Sequence, residues 1–143
     1  MTQSQRKRSG MALVEFGLVM PLFLVLCMGA IDFGRVFLTA MSLTGANRAG
    51  LVYAASSSTA SSDTTGITNL VKTAAANPSG LSVSTNQFCT CGLGGTSVSC
   101  SNSCSNKITY IQVTSTMTFQ TVTGWSFLPN SPMVTGSGVM RVQ

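Results

Sequence analysis

Four cysteines form the cluster in this chain that is best suited to chemistry. Cys89, Cys91, Cys100 and Cys104 make the pattern C-x-C-x8-C-x3-C. Four clustered thiols either bind a metal such as zinc or pair into two disulfides. Zinc sites commonly use C-x2-4-C pairs and belong to reducing compartments, whereas disulfides persist outside the cytoplasm. The C-x-C spacing and an extracytoplasmic location, which the hydrophobic N-terminal segment indicates, favour two disulfides.

The spacing leaves two disulfide pairings open. A bond between Cys89 and Cys91 would close a strained small ring, so the nested and the crossed patterns remain. The nested pattern, Cys89 with Cys104 and Cys91 with Cys100, would staple one hairpin and is the favoured one. A redox-active C-x-C pair would need nearby positive charge, and only Lys107 is close in sequence. Each bridge contributes about 2–4 kcal/mol to a small domain, which accounts for the cysteines without catalysis.

Other catalytic arrangements are missing from the sequence. The chain contains no histidine, which removes Ser-His and Cys-His nucleophiles and the commonest metal ligand. It has no Walker loop and no G-x-S-x-G motif, and its three carboxylates, at residues 15, 32 and 63, are too scattered for an acid/base pair. We therefore expect no enzymatic activity and no cofactor.

Glu15 is the most informative charged residue because it lies inside an apolar run. A carboxyl in a membrane-spanning helix costs about 2.5–3.5 kcal/mol and needs a partner, unless it lies at headgroup level near the start of the span. Cleavage between Gly10 and Met11 would create a positive α-amino group four residues before Glu15. A neighbouring subunit could then use that amine to neutralise Glu15.

The element that carries Glu15 has the length of a membrane span. Residues 11–31 contain a single charge, and 21 helical residues cover roughly 30 Å, the thickness of a bilayer core. The run is long for a signal peptide, the alternative, and has no clear A-x-A cleavage site. Only 8% of the chain is charged, whereas about 25% is usual for soluble domains. A single-pass anchor is therefore favoured.

The basic residues indicate topology instead of nucleic-acid binding. The net charge is +5, but three of the eight basic residues, Arg6, Lys7 and Arg8, lie ahead of the apolar run. The other five are scattered, and a nucleic-acid interface needs a basic stripe. The basic cluster predicts a cytoplasmic N-terminus and places everything after residue 35 outside.

The remaining sequence predicts an α+β fold: a long N-terminal transmembrane α-helix and a small antiparallel β-sheet domain with disulfides. One helix of about 45 residues is expected over 11–55, with two helices separated by a break as the alternative. Its small residues beyond residue 40 suit helix-on-helix assembly. Residues 56–80 are expected to form a Ser/Thr-rich linker, exposed over 56–66, and a short helix at 67–77. Residues 81–143 are expected to form the β-rich outer domain, an antiparallel sheet of three or four strands, three of them at 81–88, 107–120 and 133–142.

Pro21 lies within the predicted span. Proline removes a backbone donor and clashes with the preceding turn, so it bends or locally opens a helix. In a filament core such an opening would let packed helices stretch. A simple transmembrane kink is the alternative.

Residues 10–50 resemble the TadE-like domain of pilin-related proteins of the tight-adherence (Tad) secretion and pilus system. The matching residues are Gly10, Glu15, Phe16, Pro21, Asp32, Phe33, Gly34, Arg35, Ala46, Asn47 and Arg48. The closing G-V-M-R-V at 138–142 is similar to the end of the family's β-rich region. The cysteine cluster and the Ser/Thr-rich stretch depart from the family pattern.

The resemblance implies a structural protein of a type IV pilus. A prepilin peptidase would remove the cytoplasmic leader 1–10 by cutting after Gly10, and the mature chain would begin at Met11. Glu15 would act in assembly, together with Pro21. The expected partners are other pilin subunits, the peptidase, an inner-membrane assembly platform and, before assembly, membrane lipid, but no nucleic acid. The chain would move from the bacterial inner membrane into a periplasmic and extracellular adhesive pilus, as a pilin or minor pilin.

A second hypothesis keeps the anchor but changes the role of the outer domain. In it, a single-pass protein displays a periplasmic four-cysteine domain that binds metal or is redox-active. Four blocked thiols without metal would favour the structural hypothesis, and four free thiols with stoichiometric zinc would favour the rival.

Overall fold

The computed structural model describes residues 3–121 and 132–142 of the chain, with side chains described from residue 11 onward. It has the expected α+β architecture, with a long helix followed by a small antiparallel sheet. The elements are α1 Gln3–Ala55, α2 Ser58–Ser62, α3 Thr64–Ala74, β1 Ser82–Cys91, β2 Ser97–Val98, β3 Lys107–Thr118 and β4 Met133–Arg141.

Helix α1 is one continuous element of 53 residues, about 80 Å long. It passes through Pro21 and residue 35 without interruption, which confirms a single helix over the alternative of two helices with a break. It also begins earlier than expected, since residues 3–10 are helical. Side chains over 11–31 are exposed, with Cys27 half-buried, whereas the part beyond Asp32 packs against the domain.

The Ser/Thr-rich stretch differs from the exposed linker expected over 56–66. It folds into α2 and the start of α3, and Ala60 and Ser61 are buried. The polar side chains make this possible because they cap helices: the Ser57 hydroxyl accepts from the Ala60 amide at 3.1 Å, and Asp63 Oδ1 accepts from the Gly66 amide at 2.8 Å. Because Asp63 caps α3, this helix begins at Thr64, three residues before the expected start at residue 67.

The sheet has the strand order β2-β1-β3-β4, with antiparallel pairing throughout. The three expected strands are present. β1 runs three residues further than 81–88, to Cys91. The two-residue β2 is the fourth strand, at a position that the sequence did not indicate. Helix α1 and the sheet bury a core that includes Leu43, Leu51, Ile111 and Val113, with Ile67 and Val71 of α3.

The domain has two ends relative to α1. Leu43 lies against Gly136 and Leu51 against Gly138, so β4 runs in the same direction as α1. The starts of β1 and β4 and the end of β3 therefore lie near Asp32, at an end that we call the base. Cys91 and Lys107 pair at the opposite end, the tip.

Gly136 lies where β4 passes close to α1. A Cβ atom there would lie 3.1 Å from Asn47 Nδ2 and 3.2 Å from Leu43 Cβ, closer than ordinary van der Waals contact. Gly136→Val is therefore expected to lower the free energy of unfolding by about 1–3 kcal/mol, because it overpacks this interface. Thermal or denaturant unfolding of the full chain in detergent, followed by circular dichroism, measures the change.

Gly45→Val is the matched control, since the position is exposed on α1 and a Cβ atom there meets nothing within 4 Å. Valine has a slightly better helix propensity than glycine, so the stability of this variant should be equal or slightly higher. Equal losses in both variants would contradict a specific role for the close contact at Gly136.

Candidate functional site

The N-terminal half of α1 exposes a continuous apolar surface. The large apolar side chains that are exposed over 11–31 are Met11, Leu13, Val14, Phe16, Leu18, Val19, Met20, Leu22, Phe23, Leu24, Val25, Leu26, Met28 and Ile31. A bare apolar surface of this size needs to be covered by lipid or by other chains. The helix from Met11 to Ala55 is long and apolar enough to span a membrane.

Glu15 lies on this apolar surface as the single charged side chain of residues 11–31. It is exposed, and it makes no ion pair within the residues whose side chains are described. It lies one helical turn after Met11, about 6 Å along the axis.

Gly10 and Met11 both lie inside α1, eight and nine residues into Gln3–Ala55. Cleavage between them would shorten the helix by about two turns and leave Met11 at its N-terminus. The processing site and the assembly roles of Glu15 and Pro21 stay predictions, since they need a peptidase and neighbouring subunits.

The acidic-aromatic-Gly-Arg element marks the point where α1 enters the domain. Asp32 is buried, with 8% of its surface exposed, and its Oδ1 lies 3.6 Å from Arg35 Nη1. The Arg35 guanidinium lies over the Phe119 ring, 5.2 Å from its centroid. Phe33 points away and is 75% exposed. Sequence alone could not reveal the contact between Arg35 and Phe119, because Phe119 lies 84 positions after Arg35 in the chain.

The second resemblance element, at residues 46–48, docks α1 on the sheet. Ala46 and Asn47 are buried, at 3% and 1% exposure, while Arg48 is exposed. The side-chain amide of Asn47 lies beside Gly136, and neither of its polar atoms has a hydrogen-bond partner among the described residues. The Ser115 hydroxyl is also buried without a hydrogen-bond partner among the described residues. Ser115 lies on β3, where it pairs with Gly136 of β4.

The four cysteines of the outer domain form two disulfides, but in the crossed pattern. Cys89 pairs with Cys100 and Cys91 with Cys104, over Cα separations of 5.0 and 5.9 Å. The favoured nested pairing was wrong. Cys27 is the free cysteine within the described residues.

Strand register explains the crossed pattern. β2 runs antiparallel to β1 with Val98 opposite Cys89, so the chain moves away from Cys91 and brings Cys100 to Cys89. The loop then returns to the tip, where Lys107 pairs with Cys91, and Cys104 arrives there just before it. A nested pairing would require residues 100–104 to run away from the tip instead of toward it.

The arrangement offers no site for cysteine-based metal binding. The sulfur atoms of Cys89, Cys91, Cys100 and Cys104 are all used in disulfides. Among the described residues, no group of three or more His, Cys, Asp or Glu side chains is placed to hold a metal ion. What remains is the exposed apolar part of α1 over 11–31, with Glu15 as its single charged residue, and a domain that is cross-linked at its tip.

Comparison with known proteins bears on the helix. The family model described as "TadE-like protein" matches residues 10–51, which include the predicted processing site and Glu15 and end within the part of α1 that docks on the sheet. No curated protein and no solved structure matches the chain. The β-rich domain beyond residue 51 thus lies outside the match. Residues 10–51 of this chain are therefore similar to the TadE-like family, and the similarity is confined to this segment of helix α1.

Proposed function

We propose that this chain is a pilin or minor pilin of a Tad-type pilus, a structural subunit without enzymatic activity. It would be inserted in the bacterial inner membrane, processed after Gly10, and assembled into an adhesive filament or used to prime one. The observation that carries the proposal is the TadE-like segment, which covers the bare apolar half of one long helix and most of the part that docks on the sheet.

The chemistry of the bare helix supports a change from lipid to protein surroundings. The exposed side chains of residues 11–31 would suit lipid before assembly and sister helices afterwards. Glu15 is costly in lipid as an unpaired acid, and this cost would fall when a neighbouring subunit supplies its α-amino group. Assembly would therefore be favoured by the same residue that makes the isolated span unfavourable.

The outer domain supports an extracytoplasmic location. Two disulfides within 16 residues, Cys89 to Cys104, need an oxidising compartment to form and persist. The basic cluster at residues 6–8 favours the opposite, cytoplasmic side for the N-terminus. By family resemblance, major Tad pilins are much shorter, so we favour a minor subunit that tips, primes or decorates the filament.

Filament composition tests this proposal. We expect an affinity-tagged chain, produced in a host with a Tad system, to be recovered in sheared filaments and seen on them by immunogold labelling. A small share of the filament mass would indicate a minor subunit and a large share a major one. Filaments that form normally and contain none of the chain would contradict the proposal.

A further inference from the structure

A pocket lies at the base of the domain, where α1 emerges from it. Its volume is about 470 Å³, within the range of small-molecule sites. The residues that matter for its chemistry are Arg35, Thr39, Ser79, Met117, Thr118 and Phe119. The pocket therefore combines one guanidinium, three hydroxyls, the carboxamide of Gln120 and an apolar wall of a methionine and a phenylalanine.

The position of the pocket along α1 places it at the level of lipid headgroups. The run in which Glu15 is the single charge ends at Ile31, and Arg35 follows four residues, about 6 Å, further along the axis. Exposed apolar side chains continue on both sides of Arg35, at Phe33 and Phe37. The headgroup layer on each side of a bilayer is about 5–8 Å thick. If residues 11–31 cross the hydrocarbon core, Arg35 thus lies beside the phosphates of the far leaflet.

The geometry of Arg35 leaves it suited to an anion. Its face is held by the Phe119 ring at 5.2 Å, and Phe119 itself is buried, at 4% exposure. Its contact with Asp32 is 3.6 Å, longer than the roughly 2.7–2.9 Å of a charge-assisted hydrogen bond. The guanidinium has five donors in a planar fork that matches phosphate, and 47% of the side chain is exposed.

We propose that the base pocket binds the phosphate of a phospholipid on the extracytoplasmic side of the membrane, with Arg35 as the phosphate ligand. The hydroxyls of Ser79 and Thr118 would contact the polar headgroup, and Met117 would contact the upper acyl chain. The Thr39 hydroxyl donates to the Arg35 carbonyl oxygen at 2.9 Å, so it would contact the headgroup only as an acceptor. This inference rests on the membrane insertion in the proposed function. It adds a lipid contact that holds the domain against the bilayer before assembly.

The test is a lipid titration of the full chain in detergent, followed by native mass spectrometry. The probes are short-chain phosphatidylglycerol, diacylglycerol with the same acyl chains, and glycerol 3-phosphate. We expect phosphatidylglycerol to bind more tightly than diacylglycerol, which lacks the phosphate, and more tightly than glycerol 3-phosphate, which lacks the acyl chains. Arg35→Gln should weaken phosphatidylglycerol binding roughly tenfold, the effect of losing one charge-assisted hydrogen bond, and Arg35→Lys should weaken it less.

Arg48→Gln is the matched control, since Arg48 is exposed on the same helix about 20 Å further from the membrane. It removes the same charge and should bind lipid as the wild type does. Equal binding by Arg35→Gln and the wild type, or equal weakening by both variants, would overturn the inference. Glycerol 3-phosphate that binds as tightly as the lipid would overturn the assignment to a lipid.

A second measurement separates this inference from the proposed function. Each variant is reconstituted into phosphatidylglycerol vesicles and tested by flotation for stable membrane insertion. A wild-type chain that fails to float would contradict the membrane anchor, and with it the lipid site. A chain that floats but shows no effect of Arg35→Gln in the titration overturns the lipid site alone.

Discussion

Glu15→Ala is expected to leave the chain in the membrane and to remove it from filaments. Replacing the acid with a methyl group makes residues 11–31 more apolar, so insertion becomes easier. In the filament, however, the α-amino group of a neighbouring Met11 would lose its partner within an apolar core. An unpaired charge in such surroundings costs about 2.5–3.5 kcal/mol, so incorporation should fall on the order of a hundredfold.

Membrane fractionation and quantification of the chain in sheared filaments measure the two effects separately. Glu15→Gln keeps the size of the side chain and removes its charge, so it should be as defective as Glu15→Ala. Glu15→Asp keeps the charge and should retain part of the incorporation. Filaments with the normal content of the Glu15→Ala chain would show that this acid has no assembly role.

Removal of the disulfides is expected to have the largest effect on the stability of the outer domain. The bridges close loops with separations of 11 and 13 residues, and loop entropy gives about 3 kcal/mol for each. Replacing Cys89 and Cys100 with serine should therefore lower the melting temperature by about 12–24 °C. This pair should cost more than Cys91 with Cys104, because Cys89 is fully buried and serine would place a hydroxyl there.

Thermal unfolding of the full chain, followed by circular dichroism, gives these shifts. Cys27→Ser is the control, since Cys27 is the free cysteine of the described residues and lies in the bare helix. It should leave the melting temperature of the outer domain unchanged. A Cys89→Ser, Cys100→Ser double variant that melts within about 2 °C of the wild type would contradict the stabilising role. Thiol titration of the unmodified chain should find the four outer cysteines blocked.

The parts of the fold that follow from local sequence were predicted well. The apolar run, the Val- and Thr-rich segments and the C-x-C cluster specify a helix, strands and disulfides by composition and periodicity, which need no knowledge of distant contacts. The sequence does not decide whether the helix continues past Pro21, and the structure shows one unbroken helix there. Its continuity fits a proline whose removed hydrogen bond is one among many along a 53-residue element.

The features that sequence could not predict depend on register or on distant contacts. The crossed disulfides follow from β2, whose two residues are too few to give a periodic signal. The contacts of Arg35 with Phe119 and of Asn47 with Gly136 join residues more than 80 positions apart. Ala60 and Ser61 are buried because Ser57 and Asp63 cap two short helices in this stretch. These caps are local, but the Ser/Thr-rich composition alone does not predict them.

The mass of the chain recovered from purified filaments tests the central proposal most directly. A subunit that is cleaved between Gly10 and Met11 and then assembled should be found without its first ten residues, with the α-amino group of Met11 as its N-terminus. Tandem mass spectrometry of the N-terminal peptide identifies that residue. We predict a start at Met11 in every assembled copy. Assembled chains that retain Met1 would contradict processing at Gly10 and, with it, the pairing of a new α-amino group with Glu15.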